Sequence, residues 1–515
     1  MAEAVATPAV AEGPVAKPLN RTLITASVMA ASIMQAIDTT IANIALPHMQ
    51  GSLSGTQDQM VWVLTSYIVA TAVMTPLAAW LAVRLGRKRV FLASVILFTI
   101  ASVLCGMAES LSQIVLFRTL QGIGGAGLLP LSQAILLDIN PKERHGRAMA
   151  IWGMGVVLGP ILGPVLGGWL TEDYSWRWVF LVNIPFGILA TIGIIATLPE
   201  TKPKKSEFDL FGFAALSIGI GALQLMLDRG ELKDWFSSTE IRIEALVAAL
   251  GLYLFFTHML TAEHPFISRG LFKDRNFVVG SVFIFMVGVV LFATLALMPP
   301  LMQGLMGYSV LTAGLVSMPR GIGTWVAMAV VGRITGLIDG RWLIAIGFGL
   351  GALSLWQMGG ISPDADSRIL IVSGVIQGFG TGLAYVSLTV VAFATLSGQY
   401  RNEGAAFFNL MRNVGSSVGI STIQAYVTRG TTTAHATVTE HITPFNTDAA
   451  QSQLVPPLDT SSGLATMNHA IDMQASWIGY LNAFYLMMIL TLLVIPLILF
   501  ARKARQQGGA QVAAE

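Results

Sequence analysis

Residues Thr22–Leu46 read TLITASVMAASIMQAIDTTIANIAL, and the only charge among them is Asp38. About 20 mostly apolar residues in a helix cross the hydrocarbon core of a bilayer, so this stretch has the length of a span. A carboxylate at that depth costs roughly 2.5–3.5 kcal/mol on insertion scales, which makes Asp38 a functional candidate by default.

Stretches of the same length recur to the end of the chain. About fourteen can be counted, from 22–46 and 60–83 at the start to 404–427 and 476–500 at the close. With 54% hydrophobic and 11% charged residues, the chain has too little polar surface to coat a water-soluble globule. A net charge of +2 gives no reason to expect a nucleic-acid partner. The single cysteine, Cys105, sits inside an apolar run and reads as a small buried hydrophobe. Residues 1–21 lack a basic segment before an apolar core, so no cleaved signal peptide is expected. They and residues 501–515 read as disordered ends outside the bilayer.

Lysines and arginines alternate between connections. About 21 fall on the side of both termini, among them Arg84, Arg87, Lys88, Arg147, Arg275 and Arg401, against six on the other side. The bias predicts that both termini are cytoplasmic. Internal repeats agree with the count. QGIGGAGLLPLS starts at Gln121 and QGFGTGLAYVS at Gln377, while ERHGRA starts at Glu143 and RNEGAA at Arg401. These offsets pair the fourth span with the twelfth and the fifth with the thirteenth, as in transporters built from repeats. The expected organisation is an all-α membrane protein of 6+2+6 helices. Residues 22–200 form the first half, 201–276 carry two inserted helices, and 277–500 form the second half with a long polar loop at 428–475 on the outer side. That loop, with His435, His441 and His469, reads either as solvated or as a docking site; three scattered histidines make a weak metal signal.

Two motif matches are set aside. Gly122-Ile-Gly124-Gly-Ala-Gly127 spells a dinucleotide fingerprint and Gly415-Ser-Ser-Val-Gly419 a nucleophile elbow, but both lie inside apolar helices without a preceding strand. Small residues at that spacing let membrane helices approach closely.

Four other stretches carry a resemblance. Trp80-Leu-Ala-Val-Arg84-Leu-Gly86-Arg87-Lys88-Arg89 resembles the conserved cytoplasmic loop of the major facilitator superfamily, G-x-L-A-D-R-x-G-R-K, with Ala79 in place of its glycine and Val83 in place of its aspartate. Gln35-Ala-Ile-Asp38 through Pro47 resembles the first-helix signature of the superfamily's 14-helix drug:proton antiporters. Arg118-Thr-Leu-Gln121-Gly122 is similar to their fourth-helix motif, and Gly155 through Gly168, with Gly159, Pro160, Gly163, Pro164 and Gly167, to the fifth-helix antiporter motif. Together they resemble the EmrB-type multidrug exporters. The resemblance implies a major facilitator fold and no cofactor, with energy drawn from the proton gradient. It further implies a bacterial inner-membrane location, and a periplasmic membrane-fusion adaptor with an outer-membrane channel as partners. The family assigns the fourth-helix arginine to proton coupling, and the cytoplasmic loop of Arg84, Gly86, Arg87 and Lys88 to gating.

The residues support the roles independently. Desolvation favours a neutral carboxyl and a nearby cation a charged one, so Asp38 suits a proton carrier with Arg118 as its partner; Arg118 also reads as a snorkelling structural arginine. Glycines at four-residue spacing in the fifth helix suit a moving seam or plain close packing. Met34, Gln35, Gln121, Met154, Arg320, Tyr385, Phe408 and Arg412 are the candidate substrate-cavity residues. Arg320 and Arg412 face either the cavity or a helix end. Three cavity arginines against one deep acid would favour neutral or weakly acidic lipophilic substrates. The expected function is proton-coupled efflux of hydrophobic or amphipathic compounds. An exporter of one endogenous metabolite, such as a siderophore, is the nearest rival. A membrane-embedded enzyme is a distant one, since no paired catalytic spacing is visible.

Overall fold

A computed structural model describes residues 20–440 and 460–502, apart from 54, 142–143, 202, 204–206, 335–336 and 364. The disordered ends expected at 1–21 and 501–515 lie almost wholly outside the described residues, as does His441. The regular elements are helices. The first half comprises α1 (Arg21–Leu53), α2 (Gln57–Leu85), α3 (Arg87–Gly106), α4 (Leu111–Gly125), α5 (Leu128–Ile139), α6 (His145–Asp173), α7 (Trp178–Leu181) and α8 (Asn183–Thr197). The inserted pair is α9 (Leu210–Arg229) and α10 (Thr239–Thr261), and a short α11 (Arg269–Lys273) leads on. The second half follows as α12 (Arg275–Pro300), α13 (Val310–Ile334), α14 (Gly340–Gly359), α15 (Ser367–Ala394), α16 (Arg401–Glu440) and α17 (Ser461–Val494).

Two of the expected spans are broken rather than continuous. The fourth is α4 plus α5, interrupted at Ala126–Gly127, and the sixth is α7 plus α8, interrupted at Val182. Among the described residues, thirteen segments are long and apolar enough to cross a membrane. The fourteenth crossing, α16, misses that criterion because Asn402, Glu403, Asn409, Arg412, Asn413 and several serines dilute it. It packs inside the bundle regardless, burying Phe408, Leu410 and Ile423.

The long polar loop expected at 428–475 is not a loop where it is described. Helix α16 runs on to Glu440 and α17 begins at Ser461, so both continue as polar helices beyond the apolar part. Hydropathy marks where a helix leaves lipid, not where it ends. The extensions hold each other: His435 Nε2 lies 3.3 Å from both Asn468 Oδ1 and Asp472 Oδ1, and glycine at 479 lets Thr431 close in.

Below, the end of the bundle that carries Arg87, Arg147 and Arg275 is the basic face and the opposite end the far face. The two halves meet mainly through α6 against α13 and α2 and α5 against α16. Helix α9 lies along α2 and also touches α16, where Gln224 Nε2 donates to Ser417 Oγ at 2.5 Å and Ser421 Oγ to the Leu227 carbonyl.

Candidate functional site

Asp38 is fully buried, and a closed set of donors surrounds it. Arg118 Nη1 donates to Oδ2 at 2.8 Å; Gln121 Nε2 and Asn183 Nδ2 donate to Oδ1 at 2.8 and 2.9 Å. The arginine, also buried, donates to Gln121 Oε1 at 2.8 Å and from Nε to the Val63 carbonyl at 3.1 Å. Its guanidinium lies 4.3 Å from the Tyr67 ring centre and 5.7 Å from that of Phe180. Asn183 is fixed in turn by donating to Ser102 Oγ at 2.9 Å, and Ser102 donates to the Phe180 carbonyl at 2.8 Å. The break between α7 and α8 puts Asn183 at the start of a helix, where its amide points into this network. Sequence reading had Asp38 and Arg118 as partners but missed Asn183, an unremarkable polar residue within an apolar span.

The repeat offset supplies an internal comparison. Gln121 maps to Gln377, 256 residues on, and the same shift takes Asp38 to Thr294 and Arg118 to Gly374. The second half keeps the hydrogen bond, from Gln377 Nε2 to Thr294 Oγ1 at 3.2 Å, but without any charge. Joining the first and fourth spans of a half therefore requires no ion pair. The charges of Asp38 and Arg118 are extra, and a costly extra, since desolvating two ions consumes several kcal/mol apiece.

A cavity of about 270 Å³ lies toward the far face, lined chiefly by apolar side chains of α6, α12, α13 and α15. Arg320, Tyr385 and Arg412 line it, all three at most 9% exposed. Arg320 Nη2 finds only the Leu291 carbonyl, at 3.4 Å. Arg412 donates to the Tyr385 hydroxyl and Asn413 Oδ1, each at 3.3 Å, while its buried Nε has no partner. Among the described residues no carboxylate pairs with either guanidinium.

Five of the expected cavity residues are elsewhere. Met34 is packed in the core with its sulphur 3.9 Å from Thr99 Oγ1, and Gln35 donates to the Tyr67 hydroxyl at 3.4 Å. Gln121 belongs to the Asp38 network. Phe408 stacks edge-on against Phe393 in the core of the second half, and Met154 lies one residue off the lining face of α6, with its carbonyl accepting from Trp325 Nε1 at 3.2 Å. Residue type alone does not tell a packed core position from a lining one.

The chain matches the family model described as Major Facilitator Superfamily over residues 28–420. The chain belongs to the major facilitator superfamily. The multidrug export protein EmrB of Escherichia coli K12 is 35% identical over 430 residues, 83% of this chain and 84% of that protein. The fatty acid resistance protein FarB of Neisseria gonorrhoeae is 34% identical over 491 residues, 94% of this chain and 97% of its own length. Among solved structures, a human organic anion transporter, MFSD10, superposes with a TM-score of 0.62 at 14% identity, covering 93% of this chain and 99% of that one. The proton:xylose symporter XylE superposes at 0.59 and 14%, covering 92% and 96%. The last two show a shared fold.

In this superfamily member the basic-face loop between α2 and α3 is pinned from several sides. Gly86 has φ of +95°, a left-handed value that favours glycine, and a Cβ there would meet the Thr201 carbonyl at 2.8 Å. Arg87 N donates to Thr201 Oγ1 at 2.7 Å, Lys88 Nζ to the Ile195 carbonyl at 2.9 Å, and Arg84 lies 5.3 Å from the Trp80 ring centre. The aspartate missing at Val83 has a counterpart in Asp138, which ends α5 and had not been singled out. Its two oxygens accept from Arg87 Nη1 and Arg401 Nη1, each at 2.6 Å. Arg87 belongs to one half and Arg401 to the other, so a single carboxylate ties the halves together at the basic face. Asn409 Nδ2, donating to Gln133 Oε1 at 3.1 Å, adds a neutral tie above it.

Gly155, Gly159 and Gly163 of α6 face α1, within their own half. A Cβ on Gly159 would fall 2.2 Å from the Ala36 carbonyl, and one on Gly163 would press on Thr40 Oγ1, which donates to the Gly159 carbonyl at 3.0 Å. Gly155 packs on Met29, whereas Gly168 meets nothing within 4 Å. The opposite face of α6, with Gly153 and Ile161, meets α13 of the other half.

Proposed function

We propose that the protein exports amphipathic small molecules in exchange for protons, by alternating access between its two halves. The carrying observation is the Asp38–Arg118 pair, buried and charged where the repeat-related place is neutral. A proton on Asp38 cancels its charge and removes the partner of a guanidinium that has no second anion among the described residues. The two protonation states of Asp38 thus stabilise different arrangements of α1 and α4, which is what coupling requires. A proton entering down 100 mV supplies roughly 2.3 kcal/mol, before the pH gradient is added.

A run of packed side chains leads from α1, the helix that carries Asp38, to the cavity. Trp152 Nε1 donates to Ser32 Oγ of α1 at 3.3 Å and Ser132 Oγ of α5 at 2.8 Å. Its ring stacks on Tyr385 at 6.2 Å and 18°, and the Tyr385 hydroxyl accepts from Arg412. The cavity's two guanidinium groups without carboxylates favour substrates with an acidic or strongly accepting group, and FarB is named for fatty acid resistance. The basic face is cytoplasmic by the distribution of lysine and arginine. An inner-membrane location, with a membrane-fusion adaptor and an outer channel as partners, is part of the proposal, and the likeness to EmrB supports it.

The test is efflux of a lipophilic dye and of a weak-acid antibiotic from cells lacking their own pumps, for the native protein and Asp38→Asn at equal expression. Gradient-dependent extrusion that Asp38→Asn abolishes supports the reading. Gradient-independent flux, or full activity in Asp38→Asn, overturns it.

A further inference from the structure

We propose that the cavity opens sideways, through a slit between α6 and α13, into the leaflet on the far-face side, and that it takes up a single-chain amphiphile with an anionic head from that leaflet. The inference rests on the cavity being the substrate site and adds the route and the form of the substrate.

Three observations support it. The first is the way the lining wraps α13. At 3.6 residues per turn, Ala313, Arg320 and Thr324 fall on the inward face of that helix, whereas Leu315 and Ile322, 55% and 52% exposed, mark its outward face. Gly314 and Met318 also line the cavity, and they lie on the stripe between those two faces, the stripe turned toward α6. Across from them Val165 of α6 lines the cavity while being 43% exposed. The cavity wall therefore reaches the outer edge of both helices.

The second is a contrast along the same stripe. Gly321, nearer the basic face, is filled by Ile161, whose Cγ1 lies 2.1 Å from where a Cβ would stand. Gly314, two turns toward the far face, has nothing within 4 Å of that point. The joint between α6 and α13 is shut in its lower part and open above.

The third is polarity. The slit end of the cavity is bounded by Val165, Gly314 and Met318, and the interior end by Arg320 and Arg412. A buried guanidinium without an anion is costly, and an entering carboxylate would supply what Arg412 Nε lacks. An amphiphile enters head first, its head on the arginines and its chain in the slit. One chain fits the size, since about 270 Å³ lies just below the usual range of ligand pockets.

The experiment measures binding to the full chain in proteoliposomes with three probes: NBD-labelled dodecanoate, which partitions into the bilayer; NBD-labelled dodecanol, its neutral analogue; and benzoate, a water-soluble anion without a chain. Gly314→Trp fills open space, so the fold tolerates it. It is expected to weaken dodecanoate binding at least tenfold and benzoate binding less than twofold. Equal loss of both probes would mean that the residue merely fills the site, and unchanged dodecanoate binding would mean that there is no lateral route; either overturns the slit. The pair Val165→Cys and Gly314→Cys provides a reversible control, because Cys105, the single natural cysteine, is buried. Bridging the pair with a bifunctional methanethiosulfonate should block dodecanoate, and a reductant should restore it; binding unchanged on bridging overturns the slit. Arg412→Gln is expected to lower dodecanoate and benzoate binding tenfold and leave dodecanol unchanged. Loss of all three, or of none, overturns the anionic head and with it the substrate-site reading, separately from the route.

Discussion

Replacing Asp38 by asparagine separates stability from coupling. Asparagine retains an oxygen to accept from Gln121 and Asn183, but its amide nitrogen would face Arg118 Nη1, donor against cation, with no other anion at that guanidinium among the described residues. Arg118 keeps the Val63 carbonyl, Gln121 Oε1 and the Tyr67 ring, all neutral. Removing one member of a buried pair costs about 3–5 kcal/mol, or roughly two to three and a half powers of ten in an equilibrium. Entropy of unfolding scales at about 2.1 cal/mol/K per residue, so for 515 residues each kcal/mol moves the thermal midpoint by about 1 °C. The single variant should then melt about 3–5 °C low. Asp38→Asn with Arg118→Gln leaves no stranded charge, much as Thr294 and Gln377 do in the second half. That double variant should recover most of the lost midpoint while efflux stays uncoupled from the gradient. Thermal unfolding of the purified protein and proton-driven efflux from proteoliposomes measure the two quantities. An unchanged midpoint in Asp38→Asn, or gradient-driven efflux at the native rate in the double variant, would refute the reasoning.

The tie at the basic face is more exposed, Asp138 being 31% accessible, so each of its two bonds is worth about 1 kcal/mol after screening. Asp138→Asn should shift the population toward the state open at the basic face by roughly 30-fold, read as faster thiol labelling of Asn409→Cys from that side; unchanged labelling would sink the gate. Gly159→Val should prevent α6 from seating on α1 and abolish export, while Gly168→Ala, with open space around it, should leave export and the thermal midpoint within error. Gly86→Ala should cost about 1–2 kcal/mol through its φ of +95°, measurable as a lower thermal midpoint, and the Thr201 contact adds to it. Arg320→Gln should raise the apparent KM for a weak acid about tenfold and leave that for a neutral dye unchanged, an outcome that a merely structural arginine would not give.

The helix count, the two halves and the inserted pair were legible because lipid imposes a length and a polarity on every span. What escaped depended on position in three dimensions. Hydropathy could not follow α16 past the membrane, since a helix remains a helix after its residues turn polar. Nor could residue type sort the cavity. Tyr385 and Phe408 are both aromatic and both buried, yet only Tyr385 lines open space. Asp138 went unmarked because it reads as the ordinary polar end of a span; its meaning comes from two arginines, one 51 residues before it and one 263 after.

The repeats make the two halves copies in architecture and opposites in chemistry. Where the first half holds Arg118, the second has Gly374, and the space beside it is taken by Arg320, whose Cβ lies 3.5 Å from where a side chain at 374 would begin. Arg320 comes from α13, a different helix, and it faces the cavity instead of a carboxylate. One half thus keeps a cation paired with an acid of its own, in a closed network that only a proton need disturb. The other keeps two cations, Arg320 and Arg412, that no carboxylate pairs among the described residues. If both halves held internal pairs, nothing in the cavity would reward an entering acid. If both held open cations, no group would change charge between the two states. On the proposed function, dividing the roles would let proton and substrate each bias one rigid-body equilibrium from its own half, with the Trp152–Tyr385 stack and the Asp138 tie as the contacts that join the two halves.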